Sequence, residues 1–149
     1  RASAQLRHPH IVSTLDFDMD ADGRPFLVME LLSGPSLRDE IDLACIYDCY
    51  TITVLMSLED AGFCPKGGGA AWINAHDLTF RGDFPLNTAG GQLSFGQAGM
   101  AGGMHHVVDA ARQVMGRSAA AQVRDCDVAF VTGTGGIMSE QVALVLGGD

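Results

Sequence analysis

Glycine is the residue type that most constrains the fold of this chain. Most of the 19 glycines in the 149 residues lie after residue 66, and they follow no collagen-like period. Glycine allows tight turns and a close approach of the backbone to a ligand, so this distribution predicts loops whose backbone builds the functional surface. An apolar content of 47% is enough for one globular core at this length but not comfortably for two.

The charge balance excludes one class of partner. Nine basic and eighteen acidic residues give a formal net charge of −9. A nucleic-acid binder needs a basic surface along the phosphates, so no nucleic-acid partner is expected. No apolar run reaches the ~18 residues of a membrane-spanning helix, so no membrane span is expected either. The chain opens on Arg1 without a signal peptide, a start that resembles a cut end.

The four cysteines predict neither a metal site nor a disulfide scaffold. Cys45, Cys49, Cys64 and Cys126 lack the C-x-x-C spacing of zinc ligands and the density of secreted domains. They are expected to be buried small hydrophobes in a reducing cytoplasm. Cys49 and Cys64 lie near predicted loop or helix ends, but neither has an adjacent base in the sequence, so no thiol nucleophile is assigned.

The first 41 residues differ in residue composition from the rest and predict a β-hairpin. Residues 11–17 and 26–32 are β-branched or aromatic runs, and residues 18–25 between them carry Asp, Gly and Pro. Alternating aspartates in this turn suggest a calcium loop as an alternative. A loop of the EF-hand type that starts at Asp18 has Met29 where it needs glutamate, so a solvated turn is favoured.

Residues 42–149 predict an α/β unit in which a mixed sheet packs on helices. The residue patterns place strands at 43–47, 128–131 and 142–146 and helices at 51–61 and 98–115. Gly62 is expected to end the first helix in the left-handed conformation. In the second helix, the face predicted to be buried is apolar and consists of Met104, Val107, Val108, Ala111, Val114 and Met115. The opposite face is polar and carries His105, Asp109, Arg112 and Gln113.

Two glycine-rich segments are candidate ligand sites. Residues 132–136 lack the Gly-Lys-Ser/Thr ending of a P-loop and the third glycine of a dinucleotide motif, so nucleotide binding is the weaker alternative there. Residues 90–103 lead into the long helix, whose N-terminal amides could receive a thioester oxygen or a phosphate. Tight packing of the helix against its neighbours is an equal alternative for these glycines.

His105 and His106 are candidate general bases on the long helix. Both lie about two turns inside it, where an exposed histidine is more often solvated than catalytic. His105 and Asp109 form an i, i+4 pair, worth only a few tenths of a kcal/mol on an exposed face. A solvated surface is therefore the favoured interpretation.

From Asp42 onward, five blocks in order carry a resemblance to a known family. The blocks are Ile46-Tyr47-Asp48-Cys49-Tyr50-Thr51, residues 58–64, Pro85-Leu86-Asn87-Thr88-Ala89-Gly90-Gly91, residues 93–99, and the strand-loop-strand that holds Gly135-Gly136. The chain resembles the C-terminal half of the thiolase superfamily, closest to thiolase-like lipid-transfer proteins and acetyl-CoA acetyltransferases of the sterol-carrier-protein type. The resemblance implies an incomplete thiolase-like half-domain that handles an acyl-CoA or lipid-like molecule.

The resemblance also implies a changed active site. Three thiolase loops supply an asparagine, a histidine and a cysteine, and the matching positions here are Thr53, Gln97 and Thr132. Glutamine accepts no proton near neutral pH and an unactivated threonine is a poor nucleophile, so the usual condensation and thiolysis are not expected. Hydrogen-bond donation to a thioester or aldol carbonyl survives, as in divergent superfamily aldolases that act on steroid side-chain thioesters.

Coenzyme A thioester is thus the expected substrate, with no further cofactor. The implied substrate-binding residues lie in the glycine loops and are Gly90, Gly91, Ser94, Gly96, Gly135 and Gly136. Thiolases generally form dimers, and some thiolase-like members work with a zinc-ribbon protein. The resemblance therefore implies a homo- or hetero-oligomer, with an N-terminal thiolase half or a zinc-ribbon protein as partner.

Residues 4–41 resemble a different family. Leu6-Arg7-His8-Pro9-His10-Ile11-Val12 and residues 25–32, with Gly34 and Ser36-Leu37, are similar to part of the N-lobe of a bacterial serine/threonine kinase. The match places Met29 at the gatekeeper position, with Glu30 and Leu32 at the hinge. The other kinase motifs are missing, so phosphoryl transfer is not expected. A domain boundary at residue 41 and two alternatives follow: a nonfunctional or interaction-only fusion fragment, or a nucleotide-binding kinase-hinge remnant.

Overall fold

The chain divides into two compact units, Arg1–Pro35 and Ser36–Asp149. A computed structural model describes residues 14–30, 33–34, 37–135 and 138–148. The boundary at residue 41 implied by the two resemblances stays a prediction. Each unit is described by itself below.

The first unit contains the predicted antiparallel hairpin. Strand β1 (Thr14–Met19) pairs with β2 (Pro25–Met29). In the turn, the carboxylate of Asp20 accepts hydrogen bonds from the backbone N–H groups of Asp22 and Arg24, at 2.9 and 2.8 Å. Such side-chain-to-backbone bonds are typical of an Asx-type turn. The segment 6–12, which carries much of the kinase resemblance, lies outside the described residues, and that resemblance stays a prediction.

The second unit is a three-stranded mixed sheet between helices. Its elements are α1 (Leu37–Glu40), β3 (Leu43–Cys45), α2 (Thr51–Asp60), α3 (Gly69–Ala75), α4 (Gly91–Phe95), α5 (Gly102–Val114), β4 (Val128–Gly135) and β5 (Glu140–Gly147). The strand order is β3-β4-β5, with β3 parallel to β4 and β5 antiparallel to it. The predicted α/β class and mixed sheet are confirmed.

Alternate residues of the central strands separate two apolar layers. Leu43 and Cys45 face α5 in a cluster with Ala110, whereas Ala44 and Ile46 face the side of α2 and α3. Side chains of a strand alternate between faces, so helices on both faces bury every residue of β3. Burial raises the pKa of the Cys45 thiol well above its usual range and that of Cys126 to about 11.

The glycine segment near residue 133 is a strand, which corrects the predicted loop. Strand β4 continues through Gly135, with Gly133 paired to Val142 of β5. A Cβ on Gly133 would lie 2.8 Å from Cγ1 of Val142, so glycine here gives the ladder room for a large cross-strand neighbour. Gly136 lies outside the described residues.

Helix α5 begins later than predicted, at Gly102, and buries a different face. Its buried residues are Gly102, His106, Ala110 and Gln113. The predicted face is wrong for Met104, Val108 and Met115, which are 57%, 52% and 61% exposed. Polar residues occupy the buried stripe because they find partners there. The Gln113 amide, for example, bonds to Thr88, Ala121 and Val123.

The connection 66–96 is more ordered than its glycine content predicts. It contains α3, which includes the ordered piece expected at Trp72 and Ile73, and the short α4. Trp72 packs edge-on against Phe84, with ring centroids 4.7 Å apart. The expected left-handed residue after α2 is confirmed at Gly62, with φ of 82°.

Candidate active site

The candidate site forms where β3 ends beside β4. Tyr47 follows β3, and its backbone N–H donates a 3.0 Å hydrogen bond to Oγ1 of Thr132 in β4. Asn87 fixes the preceding residue on the other side: its side chain accepts from the N–H of Ile46 at 2.8 Å and donates to the carbonyl of Ile46 at 2.9 Å. The chain leaving β3 is therefore held on both sides at the carboxyl end of the sheet.

Tyr47 connects two of the three predicted catalytic positions. Besides the backbone contact with Thr132, its hydroxyl accepts a 3.3 Å hydrogen bond from Nε2 of Gln97. Gln97 and Thr132 thus meet at one tyrosine although 35 residues separate them in the sequence. Tyr47 was part of the motif that carried the family resemblance but was not predicted as a site residue.

Thr53 lies apart from this pair in the contacts that the structure describes. It is 1% exposed, in the first turn of α2, and its hydroxyl lies 3.4 Å from the thiol of Cys49. None of its described contacts reaches Tyr47, Gln97 or Thr132. Its assignment to the site stays a prediction.

A cavity of about 470 Å³ lies between α5 and the β4–β5 hairpin. Tyr47 and Thr132 line it together with Met104, Val107 and Gly133. Its wall is mainly aliphatic, and the tyrosine and threonine hydroxyls provide hydrogen-bonding groups. This combination is the usual composition of a small-molecule site.

The predicted substrate-binding residues are spread over several cavities. Gly135 lines the cavity of Tyr47 and Thr132. Gly90 and Ser94 line a second cavity of about 320 Å³, and Gly96 a third of about 380 Å³. Gly91 is buried, with φ of 62°, and a Cβ there would overlap the carboxylate of Asp48. For Gly91, the structure therefore supports the packing alternative.

Tyr47 is followed by a buried carboxyl group that the sequence did not reveal. Asp48, 3% exposed, accepts the backbone N–H groups of Gln92 and Leu93 at 2.8 and 3.2 Å, at the start of α4. Its Oδ1 also lies 3.0 Å from Nε2 of His106, which is 1% exposed. The prediction that His106 is solvated is wrong, because the carboxylate of Asp48 provides a buried partner for its ring.

His105 has a different environment from its neighbour. Its ring packs against Phe95, with centroids 4.7 Å apart. The carboxylate of Asp109 accepts hydrogen bonds from the hydroxyl of Thr88 and the N–H of Ala89. No bond between His105 and Asp109 appears among the described residues, so their i, i+4 spacing is not used as an ion pair.

The protonation of His106 is expected to affect stability. Burial lowers its pKa below the usual 6.5, against the opposing effect of Asp48. Between the lowered pKa and 6.5 the unfolded state binds more protons, so stability is complete above pH 6.5 and falls as the pH drops below it. Urea unfolding should show this loss in the wild type and a weaker loss in His106→Gln. A pH profile in His106→Gln that is the same as that of the wild type would contradict the assignment.

Two other properties can be stated for the described residues only. They contain no group of three or more His, Cys, Asp or Glu side chains placed to hold a metal ion. No helix among them is both long and apolar enough to cross a bilayer.

Comparison with known proteins decides the family. The family model described as "Thiolase C-terminal domain-like" matches residues 35–148. The chain belongs to this family. The predicted similarity to the C-terminal half of the thiolase superfamily is thereby confirmed.

Individual relatives of this thiolase-like chain have several names. It is 30% identical over 120 residues to sterol carrier protein 2 of Homo sapiens, covering 80% of this chain and 21% of that protein. It is 37% identical over 110 residues to a steroid side-chain-cleaving aldolase of Thermomonospora curvata, covering 74% and 27%. An acetyl-CoA acetyltransferase of Methanothermobacter thermautotrophicus is 28% identical over 145 residues, covering 91% and 37%.

A solved structure shares the fold. The structure titled "Ltp2-ChsH2(DUF35) aldolase" superposes with a TM-score of 0.64 at 36% identity, over 73% of this chain and 27% of that chain. The thiolase-like chain therefore spans well under half the length of each of these relatives.

Proposed function

We propose that this chain binds an acyl-CoA thioester in the cavity of Tyr47 and Thr132 and holds its carbonyl oxygen by hydrogen bonds. The observation that carries the proposal is the tyrosine that joins Gln97 and Thr132 at the cavity wall. The names of the relatives support the ligand class, since they include an acetyl-CoA acetyltransferase and a carboxyl-CoA lyase.

The hydrogen bonds at Tyr47 determine which protons are available to a ligand. The Tyr47 hydroxyl already accepts from Gln97, and Oγ1 of Thr132 already accepts the N–H of Tyr47. Each hydroxyl still has its own proton to donate. Both hydroxyls belong to residues that line the cavity, so O–H donors of the kind an oxyanion site requires are available to a bound carbonyl oxygen.

The same residues argue against thiolase chemistry. An amide and a hydroxyl replace the groups that would transfer protons, and neither titrates near neutral pH. The buried thiols of Cys45 and Cys126 have raised pKa values, so they are poor nucleophiles. The proposed role is therefore binding and polarisation of a thioester, with catalysis impaired or dependent on groups outside this chain.

A partner protein belongs to the proposal. Met104, Val108 and Met115 form an apolar stripe along the solvent side of α5, and Phe95 beside it is 73% exposed. Exposed apolar stripes of this kind mark interaction surfaces. We propose that an N-terminal thiolase half covers the stripe, with a zinc-ribbon protein as the alternative, in a homo- or hetero-oligomer. The relatives are longer than this chain, and one solved structure names a second component.

A cytoplasmic location, suggested by the free cysteines, stays a prediction.

Isothermal titration with octanoyl-CoA tests the binding. The wild type should release heat and bind more tightly than it binds free coenzyme A. Thr132→Val keeps the shape but removes the hydroxyl, so affinity should fall about fivefold, the value of ~1 kcal/mol for a neutral hydrogen bond.

Thr134→Val is the matched control for this titration. Thr134 lines the same cavity two residues along β4, roughly 7 Å farther along the strand, and its hydroxyl bonds to the Gln141 side chain at 3.0 Å instead of to Tyr47. Its affinity should stay close to that of the wild type. An absence of heat in the wild type, or equal loss in both variants, would reject the proposed site.

A further inference from the structure

The buried pair of Asp48 and His106 determines the tautomer of the histidine. Oδ1 of Asp48 lies 3.0 Å from Nε2 of His106, and the two side chains are 5% and 1% exposed. Both oxygens of Asp48 accept backbone N–H groups, so Oδ1 acts as an acceptor here and Nε2 of His106 is placed to donate its hydrogen to it. The ring then presents an N–H group on the side where a third side chain, Gln92, also contacts it.

The amide of Gln92 shares the Nε2–H group of His106 with Asp48, and the opposite amide orientation suits that group better. With Nε2 placed 3.3 Å from Nε2 of His106, two N–H groups face each other, and Oε1 is buried without a hydrogen-bond partner. A half-turn of the amide exchanges its oxygen and nitrogen. Oε1 then faces the N–H of His106, and the NH₂ group takes the position that Oε1 leaves.

That position adjoins Gln97. A Cβ on Gly102 would overlap Oε1 of both Gln92 and Gln97, so the two amides lie together over this glycine. After the half-turn, Nε2 of Gln92 lies over the same glycine as Oε1 of Gln97, where an amide N–H can serve that oxygen. The other end of the Gln97 amide donates to the Tyr47 hydroxyl at 3.3 Å.

We infer that Asp48, His106 and Gln92 form a buried hydrogen-bonded chain that positions Gln97, and through it the Tyr47 hydroxyl, at the cavity. Gln97 is exposed and would otherwise sample several rotamers. Because both ends of its amide are held, Gln97 keeps its N–H group on the Tyr47 hydroxyl. The phenol proton of Tyr47 then points away from Gln97. Gln92 and His106 are positioning residues because they act through Gln97. Their importance for the ligand rests on the proposed function. The existence of the hydrogen-bonded chain does not depend on that function.

NMR of the side-chain amides tests this hydrogen-bonded chain without any ligand. The groups that face His106 are Asp48, the ring of Tyr47 at a centroid distance of 6.0 Å, and His105 and Asp109 of α5. As the pH is lowered through the titration of the His106 ring, the Gln97 amide resonance should move with the same midpoint as that ring. The amide of Gln122, which donates to the carbonyls of Gln113 and Val123, should stay fixed as an internal control.

Two variants distinguish coupling through the hydrogen-bonded chain from a general conformational change of the protein. In Gln92→Leu, His106 should still titrate but the Gln97 resonance should no longer follow it. In His106→Gln, an uncharged amide replaces the ring, so the Gln97 resonance should lose its titration. Affinity for octanoyl-CoA should fall about fivefold in Gln92→Leu and recover in part with Gln92→Asn.

A wild-type Gln97 resonance that stays fixed while His106 titrates would overturn the inference, as would a titration that persists in Gln92→Leu. If octanoyl-CoA fails to bind but the Gln97 resonance behaves as described, the proposed function is wrong and the hydrogen-bonded chain is still supported. If octanoyl-CoA binds and the Gln97 resonance stays fixed, the proposed function is supported and the hydrogen-bonded chain is wrong.

Discussion

Asp48→Ala is expected to lower the free energy of unfolding by about 3 to 5 kcal/mol, because three hydrogen-bond donors lose their buried acceptor. Those donors are the backbone N–H groups of Gln92 and Leu93 and the ring of His106. Domains of this size are typically stable by only about 5 to 15 kcal/mol, so the variant would be close to unfolding. Urea unfolding followed by circular dichroism measures the effect.

Asp48→Asn is the graded control for this prediction. Its one remaining side-chain oxygen can take the place of Oδ1, which faces both the Gln92 N–H and His106, so the loss should be smaller than for alanine. A loss below about 1 kcal/mol in Asp48→Ala would mean that water replaces the carboxylate, and the buried network would then be wrong.

Leu58→Ala is expected to cost about 2 to 5 kcal/mol, the range for removing a large buried aliphatic side chain. Leu58 is fully buried in α2 and packs in the cluster of Ile46, Phe63 and Phe130. The cost arises from lost apolar burial and from the cavity left between α2 and the sheet. Urea unfolding and the thermal midpoint both report it.

Met56→Ala in the same helix provides the comparison. Met56 is 42% exposed, and alanine favours helix formation, so the expected change is below about 1 kcal/mol. Equal losses in the two variants would show that α2 does not pack on the sheet through Leu58.

The elements of the fold were predictable because local patterns determine them. The apolar run at β3, the glycine after α2 and the periodicity of α5 all correspond to observed structure. The buried face of α5 was not predictable, because it depends on distant partners. His106 and Gln113 are polar by composition, and their contacts with Asp48, Thr88, Ala121 and Val123 make their burial favourable.

The site was predictable in part. The resemblance identified Gln97 and Thr132, which meet at Tyr47, but it did not identify the tyrosine itself. Local sequence does not show that residue 47 bonds to residue 132, since that contact depends on the parallel pairing of β3 with β4. A polar residue directly after a buried strand was the one available signal, because ligand sites in α/β sheets lie at the carboxyl ends of strands.

The glycines illustrate the same limit. Their clustering predicted backbone-built loops, whereas Gly91 and Gly102 instead leave space for the side chains of Asp48, Gln92 and Gln97. Such glycines serve the site by admitting polar side chains against the backbone. Substituting them should therefore disturb the positions of these side chains before it affects any direct ligand contact.

The most direct test of the account is the carbonyl resonance of octanoyl-CoA labelled with ¹³C at the thioester carbon. The proposed hydrogen bond from Tyr47 would polarise the carbonyl, so its resonance should move downfield on binding, and Tyr47→Phe should remove most of that shift while the ligand still binds. A bound thioester whose carbonyl resonance is the same in the wild type and in Tyr47→Phe would contradict the claim that the Tyr47 hydroxyl holds the carbonyl oxygen.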